Sequence, residues 1–540
     1  MITLGINAPP RGWHDTAACL VVDGELVAFG EEERFSRCKH AIHQTPRNAI
    51  SFCLEKASLA IEDVDVIAVG WDVPKVVGQD NRNHDWLNPR NYIEYLLGAP
   101  PPSDAKPELV LVPHHLAHAS CAFYASPFSQ AAVLVVDGIG EDCAVSMYSA
   151  SISDGLKEGP TWPASHSLGL LYDGACQSVG FSFLEAGKLM GLAAFGRAKA
   201  IEPWPLVELQ SSDYVLALTT TPKDTHTHIV ERWLRTFRSL QGGSQITIDK
   251  FSLHRDELAV RTAWSAQHCV EEVVQWLAAY CRGATGLTEL CLAGGVALNC
   301  SANGLIPDPV YIPPIAHDSG TALGAAWYVS PPDGERRPLN PFAGLHAGDV
   351  AETDFLLSVG SRQLFDADTV IEWLLKGKIG GIVEGRAEIG PRALGHRSIV
   401  ALPRPATQRD RVNALKHREP WRPFAPVGLS ECNGKLWPAR SYLFQYMIGA
   451  TRVIDTHADT ITATTHVDGT ARPQIVDADH GLVAQLLCRM RAGGVPPVLL
   501  NTSFNGPGSP IVNTAHDAVE TALLLGLDFL VIEKHMMRLH

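Results

Sequence analysis

The chain has 540 residues, 46% hydrophobic and 19% charged, an ordinary globular composition with room for roughly two to four domains. A formal charge of -14 argues against general nucleic-acid or anionic-membrane binding and leaves room for local basic pockets. The 12 cysteines form no CxxC pair in a chain too large to need disulfide staples, so they read as reduced, mostly buried residues of a cytoplasmic protein.

MITLGINAPP opens directly on a strand without a charged, then apolar leader, which predicts no secretory signal. CLVVDGELVAFGEEE follows, with Asp23-Gly24 as a hairpin turn. Residues 45–59 carry helical periodicity and DVDVIAVGW reads as a buried strand. LVLVPHH then leads into PHHLAHASCAF, the start of a helix, and AAVLVVDGIG and CAVSMYSA form the next strands. A helical stretch near 166–196 precedes a polar, β-branched insert near 200–255, and an amphipathic helix near 256–283 leads to LCLAGGVALN. SPPDGERRPLNPFAG, dense in Pro, Gly and charge, marks a domain boundary and sets units of 1–345 and 346–540. No internal repeat is visible. The apolar run TALLLGLDFLVI is short and broken by Asp528, so it predicts a core element rather than a membrane span.

His114 and His118 stand four apart, which on a helix puts both imidazoles on one face. Asp137 closes the next strand beside glycines, and two His with a carboxylate suit a divalent transition metal with open positions. A pair of internally satisfied histidines fits the spacing as well. The two strand-turn-strand units and the Gly-Gly after a later strand suit an actin/hexokinase ATPase fold, or an unrelated α/β sheet.

The second half reverses the charge balance. Arg386, Arg392, Arg397, Arg404, Arg409, Arg411, Lys416, Arg418 and Arg422 crowd a segment whose Gly385, Gly390, Pro391 and Gly395 forbid a regular helix face. Converging guanidinium and ammonium groups would hold a triphosphate or an acyl phosphate, where a solvated basic face is the alternative. NTSFNGPG, from Asn501, adds amide and hydroxyl groups with exposed backbone N–H, and by itself is also an ordinary loop.

Taken in order, HDTAACLVVDGELVAFGEEERFSRCKH, PHHLAHASCAFYAS, VVDGIG, GKLMGLAAFG, LAGGVALN, HDSGTALGAA, GRAEIGPRALGHRSI, KHREPWRPFAP and LNTSFNGPG resemble the NodU/CmcH carbamoyltransferase family over nearly the full length. The similarity is strongest to its antibiotic O-carbamoyltransferases. The resemblance implies an actin/hexokinase-like transfer domain that binds nucleotide and a divalent metal, usually Fe(II). It also implies a YrdC-like domain that makes carbamoyl adenylate from carbamoyl phosphate and ATP. Carried over by position, His114, His118, Asp137 and Asp318 would hold the metal, and Asn299 the nucleotide, with Gly138, Gly187 and Gly295 allowing backbone approach. Arg392, Arg397, Lys416, Arg418, Ser503 and Asn505 match positions lining the second pocket. Many relatives carry Glu where this chain has Ser509, so Ser509 is assigned no role.

Transfer to a hydroxyl needs a base, and His14, directly after the first strand, is the candidate, with Asp15 next to it as an orienting group or pointing elsewhere. Lys39 and His40 are either acceptor or phosphate contacts or solvated loop charges. The expected acceptor is a hydroxyl of an aminoglycoside or of a sugar on a glycosylated antibiotic. No nucleic-acid or membrane partner is expected, and the protein is expected as a monomer or homodimer. A sugar-kinase-type phosphotransferase and a non-catalytic nucleotide-gated regulator are the competing readings. Transfer to a thiol, as in hydrogenase maturation, would bring zinc-finger CxxC pairs, which are absent here.

Overall fold

The computed structural model describes residues 1–9, 14–78, 84–100, 102, 107–218, 220, 224–243, 246, 249–349, 362–440 and 442–539. Its first sheet combines β1 (Ile2–Asn7), β2 (Ala17–Val22), β3 (Glu25–Glu31), β4 (Val66–Val69) and β5 (Glu108–Leu111) in the order β3-β2-β1-β4-β5. The first three form an antiparallel meander, and β4 and β5 add in parallel. Asp23 and Gly24 both adopt positive φ, 48° and 83°, the backbone that a tight two-residue hairpin demands.

The second sheet contains β6 (Gln130–Val136), β7 (Cys143–Ser151) and β8 (Gly155–Pro163). After the small hairpin of β9 (Val207–Leu209) and β10 (Tyr214–Leu216), β11 (Leu290–Ala293) and β12 (Val310–Tyr311) complete it, in the order β12-β11-β6-β7-β8. β6, β7 and β8 form another antiparallel meander, with β11 parallel to β6 and β12 parallel to β11. Each sheet therefore runs third, second, first, fourth, fifth. This is the duplicated actin/hexokinase-like plan that the two strand-turn-strand units suit, and no repeat of residues accompanies it. The repeat is one of strand order and burial, which ITLGIN and QAAVLVV satisfy with different side chains.

Between the sheets, helix His114–Tyr124 packs against helix Gly320–Val329. The contact is backbone-close. A Cβ on Gly324 would stand 1.8 Å from the Ala117 carbonyl oxygen.

The second half is also mixed α/β. Its strands are β13 (Arg362–Leu364), β14 (Gly380–Val383), β15 (Arg397–Ala401), β16 (Ala425–Leu429), β17 (Thr451–Arg452), β18 (Thr470–Ala471), β19 (Gln474–Val476), β20 (Val498–Ser503), β21 (Phe529–Ile532) and β22 (His535–Arg538). All except the β17/β18 ribbon join one sheet ordered β13-β22-β21-β14-β15-β20-β16-β19. One hydrophobic cluster runs from Ala17 through Trp421, Trp437 and Tyr446 to Val498, so part of the second half completes the core of the first. The expected boundary at 345/346 falls between β12 and β13, and residues 350–361 lie outside the described set. Among the described residues, no helix is long and apolar enough to cross a membrane.

Gly324→Ala is expected to destabilise the protein by about 2 kcal/mol, because the added methyl must push the two central helices apart. Urea unfolding followed by circular dichroism measures this; unchanged stability would show that the crossing is loosely packed.

Candidate active site

Pro113 precedes the histidine helix and offers no capping side chain, so a remote group caps it. The Glu141 carboxylate accepts the His114 N–H at 2.9 and 3.1 Å and the Asp72 N–H at 2.8 Å. Helical periodicity then brings the Nε2 atoms of His114 and His118 to 3.1 Å. His114 Nδ1 lies 3.1 Å from the Gly70 carbonyl, an acceptor only, so Nδ1 carries a proton and Nε2 is the nitrogen that faces inward. Trp71 stacks on that ring at 3.8 Å and donates Nε1–H to Asn7 at 2.9 Å.

Asp137, at the end of β6, places Oδ2 3.3 Å from His114 Nε2 while its Oδ1 accepts the Gly295 N–H at 2.8 Å. Asp318 Oδ1 lies 3.8 Å from His114 and 3.7 Å from His118. One ligand atom from each of these four residues falls within 4.8 Å of every other. Two imidazoles and two carboxylates fit a divalent transition metal, and the Gly70 and Gly295 contacts orient the ligands from behind. Burial disfavours an imidazolium, yet Asp137 and Asp318 raise His114 to about 9, whereas burial and the neighbouring His114 push His118 down.

Beside this cluster, Asp15 bridges two histidines, with one oxygen 2.9 Å from His14 Nδ1 and the other 2.9 Å from His40 Nδ1. Asp15 has φ 56° and His40 φ 63°, a left-handed backbone that costs energy in non-glycine residues. The conformation is held by the Asp15 N–H on the His40 carbonyl, 2.6 Å, and by Asn7 on the Asp15 carbonyl, 2.9 Å. Burial would lower the His14 pKa, but the Asp15 hydrogen bond and the charges of Asp15, Asp318 and Asp137 raise it to about 9. Asp173, on helix Leu168–Ser178, faces the same space; burial pushes its carboxyl up to about 7, with Asp137 adding to the effect.

The other expected residues divide. Gly295 serves the Asp137 carboxylate, and a Cβ there would meet Oδ1 at 3.1 Å. A Cβ on Gly138 or Gly187 would meet nothing within 4 Å. Asn299 makes a reciprocal amide pair with Gln267, 2.9 and 3.0 Å, and caps the following turn through the Ala302 N–H.

In the second half, Lys416 is buried and donates to the carbonyls of Ser503, 2.6 Å, and Asn505, 2.9 Å, and to Asn505 Oδ1, 2.9 Å. Ser503 Oγ donates to the same Oδ1 at 2.7 Å. Arg418 lies over the Phe424 ring at 5.2 Å, and Arg392 reaches the Leu298 carbonyl at 3.5 Å while its buried Nε has no hydrogen-bond partner. Burial and mutual repulsion with Arg422, Arg472 and Lys39 push Lys416, Arg418 and Arg392 down, Arg392 to about 9. Lys39 is lowered by burial and by Arg422, Arg418 and Lys188, which brings it to this basic cluster.

Arg397 departs from expectation. It is fully buried, and its five N–H donors serve the carbonyls of Asn513, Glu384, His396, Leu345 and Gly385. It braces the loop and offers no donor to a ligand. Sequence reasoning missed Glu141, Asp173, His40 as the partner of Asp15, and Arg472; only their sequence neighbourhood to motif residues hints at them.

Two family models match: "Carbamoyltransferase N-terminus" over residues 98–327 and "Carbamoyltransferase C-terminus" over 371–538. The chain is 34% identical to the nodulation protein NolNO of Sinorhizobium fredii, over 99% of this chain and 80% of that protein. It is 30% identical to a 3'-hydroxymethylcephem-O-carbamoyltransferase of Amycolatopsis lactamdurans, over 64% of each chain. Among solved structures, full-length HypF in its phosphate- and nucleotide-bound form matches with a TM-score of 0.31 and 12% identity, over 61% of this chain and 55% of that one. At that score the fold is identified by its own two strand orders.

Asp15→Asn is expected to bring the His14 pKa from about 9 to near or below its ordinary 6.5, read by an NMR pH titration of the imidazole. The sign for stability follows from the same shift. A pKa raised from 6.5 to about 9 stabilises the fold fully below pH 6.5, and that contribution is lost as pH rises through 9. His118→Ala should weaken Mn²⁺ binding by at least about a hundredfold in calorimetric titration.

Proposed function

The chain belongs to the carbamoyltransferase family, and from that premise we propose that it is an ATP-dependent O-carbamoyltransferase with carbamoyl phosphate as donor and a small-molecule hydroxyl as acceptor. The observation that carries this reading is the presence, in one chain, of a largely buried His/Asp ligand set and a separate basic cluster of Arg392, Lys416, Arg418, Arg422 and Arg472. A metal-dependent fold of the sugar-kinase kind needs only the first. The second suits a donor that carries phosphate.

In this reading residues 346–540 form a YrdC-like activation unit. Water cleaves carbamoyl phosphate to carbamate and inorganic phosphate; the carbamate oxygen then attacks the α-phosphorus of ATP, the bond to the β-phosphate breaks, pyrophosphate leaves, and carbamoyl adenylate forms. Arg392, Arg418 and Lys416 offset the phosphate charge, and Ser503 and Asn505 hold the Lys416 ammonium in place. At the first unit His114, His118, Asp137 and Asp318 would hold a divalent metal, Fe(II) by family resemblance, which supplies charge neutralisation for the adenylate phosphate. His14, oriented by Asp15, takes the acceptor hydroxyl proton as the new C–O bond forms and AMP departs. Its raised pKa places the active, neutral imidazole on the alkaline side. A cation among Asp137 and Asp318 would offset two of the charges that raise it, so the rate should climb with pH along a limb between 6.5 and about 9.

The proposed acceptor is a sugar hydroxyl of an aminoglycoside or another glycosylated natural product, handled by a cytoplasmic monomer or homodimer without nucleic acid or membrane partners. Purified protein with ATP, labelled carbamoyl phosphate and a panel of aminoglycosides and macrolide glycosides is expected to give a carbamate mass gain with AMP and pyrophosphate. ADP with a phosphorylated acceptor would overturn the reading in favour of a kinase. His14→Ala is expected to lower transfer by about 10²–10⁴-fold while ATP–pyrophosphate exchange persists, and Arg418→Ala to abolish the exchange.

A further inference from the structure

The two centres are joined by a buried charged seam with no assigned role. Glu31, the last residue of β3, is 7% exposed, and Arg34, on the next short helix, 4%. The two oxygens of Glu31 face different parts of the molecule. Oε1 accepts from Ser319 Oγ at 3.4 Å and lies 3.6 Å from His317 Nε2, and those two side chains meet each other at 2.9 Å. They flank Asp318, the metal-cluster carboxylate. Oε2 accepts the Gly390 N–H at 3.1 Å and pairs with Arg34 at 3.3 Å, and Arg34 donates to the Gly390 carbonyl at 2.7 Å.

Gly390 begins the turn that presents Arg392. It adopts φ 92°, and a Cβ there would lie 2.3 Å from the Pro314 carbonyl oxygen, so the turn rests on the chain leading to His317 and Asp318. Glu388 closes the turn by accepting the N–H groups of Leu394, 2.6 Å, and Arg397, 3.2 Å.

The seam is poorly suited to be stabilising glue. Arg34 Nε lies 3.5 Å from Glu33 Oε1 without a hydrogen bond, and Arg34 Nη1 and Glu388 Oε2 are buried without hydrogen-bond partners beside a cavity of about 10 Å³, which Glu31, Arg34, Glu388 and Asn513 line. Burying such ions usually costs more than their attraction returns, so apolar side chains would make a stronger joint.

We infer that Glu31 is a positioning residue shared by both centres, setting the Asp318 loop with one carboxylate oxygen and the Arg392 turn with the other. The inference rests on the carbamoyltransferase reading for its second measurement only. Arg34 adds a second contact on the second half beside that of Oε2, and His317 and Ser319 are the contacts on the first.

The experiment compares Glu31→Gln and Arg34→Lys with the parent protein. Mn²⁺ affinity is measured by calorimetry with the metal alone, and the activation step by ATP–pyrophosphate exchange with carbamoyl phosphate. Glu31→Gln keeps the size of the side chain, and it should weaken Mn²⁺ binding and raise the exchange KM for carbamoyl phosphate, each by about tenfold. Arg34→Lys should raise the exchange KM while leaving Mn²⁺ affinity within about twofold, a split that simple loss of folding cannot produce. Thermal unfolding confirms that both variants fold; if Glu31→Gln does not, the Arg34→Lys split decides. A Glu31→Gln protein with either measurement unchanged, or an Arg34→Lys protein that loses both equally, overturns the inference. Failure of the parent protein to exchange pyrophosphate sinks the activation reading instead, and then the inference fails if Glu31→Gln binds Mn²⁺ as the parent does.

Discussion

Four side chains that would avoid burial singly are gathered together, three buried and Asp318 partly exposed: two imidazoles from one helix turn, and two carboxylates from places distant in sequence. Asp137 stands at the end of β6, and Asp318 follows β12. The parallel run β6-β11-β12 of the second sheet brings these ends to one side, and the close helix crossing at Gly324 fixes the imidazoles beside them. Desolvation makes an uncompensated charge there costly, so each group is specified by the others. Elements around the cluster serve that requirement: Gly70 fixes a tautomer, Gly295 holds an oxygen, and Glu141 caps the helix from outside.

A second charge concentration of opposite sign lies in the other half. Near His14 the excess is anionic, and it raises the pKa of His14 and His114 against burial; near Arg418 it is cationic, and it adds to burial in depressing lysine and arginine. The two centres thus present fields of opposite sign. Lys39 and Lys188 come from the first half yet lie toward the basic centre, and Lys188 pairs there with Glu419 at 2.6 Å.

Much of this was legible in the chain because it is local. The spacing of His114 and His118, the Asp23-Gly24 turn and the glycine-broken arginine segment each express a constraint that acts over a few residues. Pairing between distant residues was not legible. Asp15 is adjacent to His14, and whether it faces that ring depends on a left-handed backbone fixed by His40, which arrives from another loop. Arg397 shows the opposite failure. Its type and position suit an anion pocket, and only the five carbonyls around it reveal a strut. The duplication showed in the chain only as two strand-turn-strand units and not as a repeat of residues, since a buried strand constrains apolar character more than identity.

The shared core has an evolutionary corollary. Gly304 presses against the Ala450 carbonyl so closely that a methyl group would stand 1.8 Å from it, and Trp437 and Tyr446 sit in the same apolar cluster as β6 and β11. The halves are therefore not exchangeable cassettes. A chimaera spliced near residue 345 from two relatives would inherit mismatched interior surfaces unless both faces of this contact were exchanged together.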